Sequence, residues 1–152
     1  MYITKIFTFA AGHRLFNYDG DCANIHGHNY KVEVTIIGKV GATGMVIDFK
    51  ELGRQCKNVL DKYDHALILC KGDPLIDILN LFFPPAHFQN IPRIIPCVGK
   101  IKIHIMEGNP TAENMATEIA CLLFKDEIPV YKVKLYETET SFAEVKLDSI
   151  AE

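Results

Sequence analysis

At 152 residues, with 49% hydrophobic and 23% charged side chains, the chain suits one domain with its own core and is too ordinary in composition for a disordered or fibrous protein. Its net charge is −3 and it holds no run of lysines or arginines, which excludes an electrostatic footprint for nucleic acid or an anionic membrane. Five scattered cysteines, no secretory pattern in MYITKIFTF and no apolar run near the roughly 18 residues of a membrane span predict reduced thiols in a cytoplasm.

The segment ITKIFTFAAGH puts Ile3, Phe7, Phe9, Ala11 and His13 on one parity, predicting a strand whose apolar face ends in a histidine. A loop of turn formers, RLFNYDGD, leads to CANIHGH and a second strand, NYKVEVTI. There Tyr30, Val32, Val34 and Ile36 share a face, and His26 and His28 have the same parity. These two strands can pair as a hairpin. From Asp48, a helix N-cap by residue type, the period changes. Phe49, Leu52, Cys56, Val59, Leu60 and Tyr63 predict a first helix, which delivers the chain to YDHALIL. An elaborated connection at about 70–99 is broken by Pro84, Pro85, Pro92 and Pro96, with a short helix in DPLIDILNLFF. KIKIHIM alternates as a short strand. NPTAENMATEIACLLF predicts a second long helix, capped by Asn109 or Thr111, with Glu113 in its first turn and a core stripe of Met115, Ile119 and Leu122. YKVKLYETET and SFAEVKLD add two strands. Without a regular βαβ alternation, this order predicts a single α+β domain over residues 1–152 with a mainly antiparallel sheet.

Catalytic zinc commonly takes three protein ligands and keeps a fourth position for water or substrate, and a His-x-His on a strand supplies two ligands from one face. His13, of matching parity at the end of the neighbouring strand, is the natural third beside His26 and His28. The plain alternative is that these are hydrogen-bonded core histidines. A second alternative makes Cys22 a fourth ligand and the site a closed structural one. Further along, Glu137 continues the apolar parity of Tyr131, Val133 and Leu135. A carboxylate placed there needs a donor pair, either an arginine or a ligand. Asp64 and His65 put a carboxylate beside an imidazole just after a helix, which can tune a proton-transfer group, although such a dipeptide often lies on a surface.

Taken together and in order, CANIHGHNYKVEV, GMVIDFKEL, YDHALI, PTAEN and YETET resemble the 6-pyruvoyltetrahydropterin synthase and 6-carboxytetrahydropterin synthase family over residues 1 to 69 and 108 to 145. The resemblance implies the tunnelling fold, a four-stranded antiparallel sheet with two helices on one face. It also implies a homo-hexamer of two trimers built around a barrel, with zinc-holding active sites at subunit interfaces. Carried over residue by residue, His13, His26 and His28 would be the zinc ligands and Cys22 the proton-abstracting base. Asp64 and His65 would match a pair that works with a cysteine from a neighbouring subunit. Glu137 would grip the pterin, whose 2-amino-4-oxo ring offers adjacent N–H donors that a carboxylate accepts as a fork. Thr111 and Thr138 would complete the recess. The implied substrate is 7,8-dihydroneopterin triphosphate. Zinc on its side-chain hydroxyls would act as a Lewis acid while a proton leaves and triphosphate is eliminated. Oxidation of the side chain balances reduction of the ring, so no nicotinamide is required, and the chain has no GxGxxG motif.

Three residues separate Cys22 from His26, as in the queuosine-pathway 6-carboxytetrahydropterin synthases, whereas the biopterin-forming synthases have a wider spacing. A third branch carries a glutamate near the motif, and CANIHGH has none. The expectation is therefore a 6-carboxytetrahydropterin synthase, releasing acetaldehyde and triphosphate. The alternatives are a 6-pyruvoyltetrahydropterin synthase and a non-catalytic, zinc-stabilised pterin-binding module. About 40 residues lie between DHALIL and PTAEN, a longer stretch than the resemblance implies. Phe82, Phe83 and Phe88 make it apolar enough to predict packing on a neighbouring subunit. Arg14 and Lys5 are among the candidate anchors for triphosphate. His87 reads as a loop residue, His104 as lying on the polar parity of its strand, and Cys56, Cys70, Cys97 and Cys121 as structural.

Overall fold

A computed structural model describes residues 1–82, 93–95 and 99–147. Its strands are β1 (Tyr2–His13), β2 (His26–Ile37), β3 (Ala66–Cys70), β4 (Arg93–Ile95), β5 (Gly99–Ile101), β6 (Ile103–Met106), β7 (Val130–Tyr136) and β8 (Phe142–Lys146). The helices are α1 (Phe49–Leu60), α2 (Pro74–Phe82) and α3 (Ala112–Lys125). Six strands share one sheet in the order β6, β3, β1, β2, β7, β8, and β4 pairs with β5 in a separate antiparallel ribbon.

The chain divides into two compact units. Met1–Phe9, Asn29–Asp61 and Ala112–Glu152 form the first, and Ala10–His28 and Lys62–Thr111 the second. In the first unit the alternation of β2 is realised as expected: Tyr30, Val32, Val34 and Ile36 are all buried, and Phe9 stacks on Tyr30 with ring centroids 5.0 Å apart. Strand β2 pairs antiparallel with β7, and β7 with β8. The α1 helix begins where the sequence places it, since the Asp48 side chain accepts from the Lys50 N–H at 2.6 Å and so caps an otherwise unsatisfied donor. It buries Leu52, Cys56, Val59 and Leu60 and packs against α3, which lies on β7 and β8. On α3 the stripe runs through Met115, Ile119 and Leu123, joined by Ala112, Ala116 and Ala120. Leu122, expected in that stripe, is only half-buried: four-residue steps from Met115 reach Leu123, and Leu122 lies a residue off the line.

The second unit departs from the expectation. Residues Ala66–Cys70 form a strand that pairs parallel with both β1 and β6, so the sheet has six strands and is mixed, where four antiparallel ones were expected. A parallel strand covered on both faces carries an unbroken apolar run such as ALIL, which shows no alternation to mark it. Among the described residues three helices stand where the family resemblance implied two, the additional one being the short helix expected in DPLIDILNLFF. The third is α2, whose first turn is capped by Asp73: its side chain accepts from the Leu75 N–H at 2.8 Å, and Pro74 follows at a position where a missing N–H costs nothing. Of the two caps expected for α3, Asn109 spends its side chain on Phe16, and Thr111 directly precedes the first helical residue, Ala112. His104, expected on a polar face, is half-buried with its ring 4.6 Å from that of Tyr63. Phe83, His87, Phe88 and Cys97, with the packing expected of that stretch, lie outside the described residues. No helix among the described residues is long and apolar enough to cross a membrane.

Candidate metal centre and proton-transfer pair

Strand parity brings His13, His26 and His28 together. Their ring centroids lie 4.4, 5.3 and 5.1 Å apart, and their ligand atoms fall within 4.8 Å of one another. His13 is buried and the other two are half-buried. Gly27, between the two histidines of β2, is there for space: a Cβ would stand 2.8 Å from the Ala11 carbonyl oxygen on β1.

Two backbone carbonyls decide which nitrogen of each ring can bind a metal. His13 Nδ1 lies 2.7 Å from the Pro110 oxygen, and His26 Nδ1 lies 2.9 Å from the Asn24 oxygen. A carbonyl only accepts, so each Nδ1 carries the proton and each neutral imidazole keeps its lone pair on Nε2. That is the tautomer a metal-binding histidine needs, held by the kind of outer partner that orients such ligands. Three imidazoles within reach of one another fit a divalent ion such as zinc. Cys22 is not among the residues whose donor atoms gather with the histidines, which removes the closed four-ligand alternative. It sits instead in a short 3-10 turn, Asp21–Ala23, and its carbonyl accepts from the Leu15 N–H at 2.8 Å.

Asp64 and His65 form a single device at the start of β3. The Asp64 Oδ1 accepts from the Ala10 N–H at 3.1 Å and from His65 Nδ1 at 2.9 Å, while the His65 N–H donates to the Ala10 oxygen at 2.7 Å. Lys102 Nζ donates to the Asp64 carbonyl at 2.7 Å. Burial works to raise the Asp64 carboxyl, but the Ala10 N–H, the His65 ring and the Lys102 charge outweigh it and leave it below its ordinary value. The His65 side chain is 83% exposed and its backbone has φ 58°, a left-handed conformation that a non-glycine residue rarely adopts. The pair thus points a ring outward with Nδ1 tied to a carboxylate and Nε2 available for proton exchange.

Arg14 is committed elsewhere. Its Nε donates to Asp73 Oδ2 at 2.8 Å and its Nη2 to Oδ1, a fork on a carboxylate with no exposed surface. Beside it an open cleft is lined by Arg14, Leu15, Phe16, Asn17, Tyr18, Asp19 and Ala23. Thr111 is half-buried, with its N–H donating to the Asn109 oxygen at 2.8 Å. In the other unit, Glu137 is half-buried, short of the core position its parity suggested, because β7 ends at Tyr136 and the chain turns. The N–H groups of Glu137 and Thr138 both point to the Ser141 oxygen, at 3.0 and 3.3 Å. Thr138 is exposed, and its hydroxyl accepts from the Ser141 N–H at 3.1 Å. The sequence reading missed the two carbonyls that fix the imidazoles, which no side-chain pattern encodes, as well as Lys102 and Asn109, which it passed over as an ordinary strand lysine and a helix cap.

Residues 2–148 match the 6-pyruvoyl tetrahydropterin synthase family. The 6-carboxy-5,6,7,8-tetrahydropterin synthase of Rickettsia conorii is 35% identical over an alignment covering 93% of this chain and 97% of that protein. The Haemophilus influenzae protein of the same name is also 35% identical, over 93% of this chain and 96% of its own length. Among solved structures, 6-pyruvoyl tetrahydropterin synthase of Caenorhabditis elegans superposes with a TM-score of 0.64 at 25% identity, covering 96% of this chain and 94% of that one.

Proposed function

This chain belongs to the 6-pyruvoyl tetrahydropterin synthase family, and we propose that it is a lyase converting 7,8-dihydroneopterin triphosphate and water to 6-carboxy-5,6,7,8-tetrahydropterin, acetaldehyde and triphosphate. The observation that carries the reading is the pair of locked tautomers, which leaves His13 and His26 ready to bind a metal beside His28. Near-full-length similarity to proteins named 6-carboxy-5,6,7,8-tetrahydropterin synthase, and the Cys22–His26 spacing, favour the carboxy product.

His13, His26 and His28 would hold zinc, which when bound supplies Lewis-acid polarisation of the substrate's side-chain hydroxyl oxygens. Cys22 as thiolate takes the proton from the side-chain carbon. Asp64 keeps the His65 Nδ1–H in place, so His65 exchanges the proton through Nε2, in company with a neighbouring subunit's cysteine. Glu137 accepts the fork of N–H donors on the pterin, and Thr111 and Thr138 border that recess. Loss of triphosphate moves the oxidation level into the side chain and the reduction into the ring. Hydrolytic cleavage between the two side-chain carbonyl carbons then leaves the carboxylate on the ring and releases acetaldehyde. A hexamer of two trimers in the cytoplasm completes the proposal. The described cysteines, Cys22, Cys56, Cys70 and Cys121, are all free thiols, which suits a reducing compartment.

The test is to incubate zinc-loaded protein with 7,8-dihydroneopterin triphosphate and follow acetaldehyde and pterin products, with Cys22→Ala alongside. Acetaldehyde and 6-carboxytetrahydropterin, lost in Cys22→Ala, are expected. A 6-pyruvoyltetrahydropterin product without acetaldehyde would move the chain to the biopterin branch, and no turnover would leave only a metal-stabilised binding module.

A further inference from the structure

The loop that follows the first metal ligand is gripped at four successive residues. His13 donates its Nδ1–H to the Pro110 oxygen at 2.7 Å, and Arg14 forks onto Asp73. The Leu15 N–H donates to the Cys22 oxygen at 2.8 Å. Phe16 is held from both sides by one side chain: its N–H donates to Asn109 Oδ1 at 2.8 Å and its carbonyl accepts from Asn109 Nδ2 at 2.9 Å. Two of these grips come from adjacent residues, Asn109 and Pro110. Their segment fastens both ends of His13–Phe16, although 93 residues separate Asn109 from Phe16.

We propose that Asn109 is a positioning residue of the metal centre: by clamping Phe16 it seats the Pro110 carbonyl on His13 Nδ1 and thereby fixes the ring and tautomer that His13 presents. The side chain suits that task. A primary amide offers one acceptor and one donor in a plane, which lets it pair with the N–H and carbonyl of a single residue as a strand partner would. Aspartate lacks the donor, and glutamine reaches a methylene too far. Proline at 110 holds φ near its ring value, which removes one of the two backbone rotations between the Asn109 anchor and the Pro110 carbonyl. Without the clamp the His13 end of the loop is free to slide off that carbonyl. The imidazole can then turn and carry its proton on Nε2, the nitrogen that must be bare to bind a metal. The same clamp steadies Leu15, and so the Cys22 turn that Leu15 holds. This inference rests on the reading of the three histidines as a metal site, so its test measures metal binding and backbone protection without turnover.

Cobalt(II) is titrated into wild type, Asn109→Ala and Asn109→Asp, following the ligand-field absorption of the bound ion, and amide hydrogen exchange is measured on the same proteins without metal. The expected result for Asn109→Ala is an affinity about tenfold weaker with an altered absorption band, as for loss of an outer partner of a metal ligand. Exchange at Phe16 and Leu15 should be faster by about tenfold or more, with Asn109→Asp intermediate in both. If Asn109→Ala does not fold, Asn109→Ser supplies the same two readouts. Faster exchange at Phe16 with unchanged cobalt affinity and band would overturn the proposal, making Asn109 a loop staple only. Unchanged exchange would overturn it by removing the clamp. A wild type that binds no cobalt would overturn the metal reading and this inference with it.

Discussion

Replacing Gly27 by alanine tests whether the HGH glycine exists to let two backbones meet. An alanine Cβ would stand 2.8 Å from the Ala11 oxygen and 3.4 Å from the Gly12 Cα, and ordinary contact begins at 3.4 Å. The obstacle is backbone on the neighbouring strand, so no side chain can swing aside, and β1 or β2 must move by about 0.6 Å. Overpacking of this kind costs about 1–3 kcal/mol. Alanine's smaller freedom in the unfolded chain returns about 0.5–1 kcal/mol. The net loss of about 0–2.5 kcal/mol corresponds to a fall in Tm of up to about 10 °C for a chain of this size. Metal binding should suffer more, because the displaced segment carries two of the proposed ligands: cobalt affinity is expected to drop by about tenfold or more. Gly41→Ala is the internal control, since a Cβ there meets only the Met45 oxygen at 3.5 Å: cobalt affinity should hold, and Tm should rise by about 1–4 °C through the less free unfolded chain. Thermal unfolding and cobalt titration of the two variants side by side decide the matter. A Gly27→Ala protein with wild-type Tm and affinity would refute the close-approach argument.

Metal should stabilise the fold by mass action. Zinc at about a hundred times its Kd contributes about 2.7 kcal/mol, a rise in Tm of about 5–11 °C that chelation reverses and His26→Ala abolishes; an equal rise in His26→Ala would place the ion elsewhere. The Arg14 guanidinium, helped by the Leu75 N–H and opposed by burial, holds the Asp73 carboxyl below its ordinary value. Its contribution is therefore complete above the unfolded pKa of about 3.9 and fades as pH falls through the lower folded value. Asp73→Asn should lose about 1–3 kcal/mol at pH 7, by urea titration, with a deficit constant from about pH 5 upward and narrowing below about pH 4. A deficit independent of pH down to acid unfolding would show that charge has no part in it. Burial pushes the Cys56 thiol up to about 11, with the Lys5 charge only partly opposing. Iodoacetamide at pH 8 should accordingly spare Cys56 in the native protein while labelling Cys22; equal rates would contradict the placement of Cys56 in the core.

How much of this was legible in the sequence depends on the range of the forces involved. Period-two and period-3.6 burial are local, so β1, β2, α1 and the inward parity of His13, His26 and His28 could all be read off the chain. So could the Asp48 cap, which joins residues two apart. The parallel strand at Ala66–Cys70 could not, because burial on both faces erases the alternation that identifies a strand. Nor could the Pro110 and Asn24 carbonyls on the imidazoles: every residue has a carbonyl, and only the fold decides which one faces a ring. Arg14 illustrates the remaining gap. Its charge made it a reasonable anchor for triphosphate, yet in the fold its fork is filled by Asp73, which a chain reading knew only as an acid 59 residues away.

The backbone at His65 gives a separate argument that this position serves function rather than stability. A side chain in the left-handed region costs roughly 1–2 kcal/mol, which glycine avoids. Glycine forfeits about 0.5–1 kcal/mol through the freer unfolded chain. His65→Gly also removes the Nδ1–H bond to Asp64, but with the ring 83% exposed that bond adds little to folding. The two backbone bonds that hold the turn, His65 N–H to Ala10 and Ala66 N–H to Tyr63, survive the change. Stability should thus stay within about 1 kcal/mol of wild type, on either side. Turnover, by contrast, should fall by about 100-fold or more, the usual contribution of a placed proton-transfer group. Urea unfolding and the acetaldehyde assay on the same preparation separate the two. Should His65→Gly lose more than about 2 kcal/mol, the imidazole would be a structural element of the turn, and the strain at 65 would need another explanation.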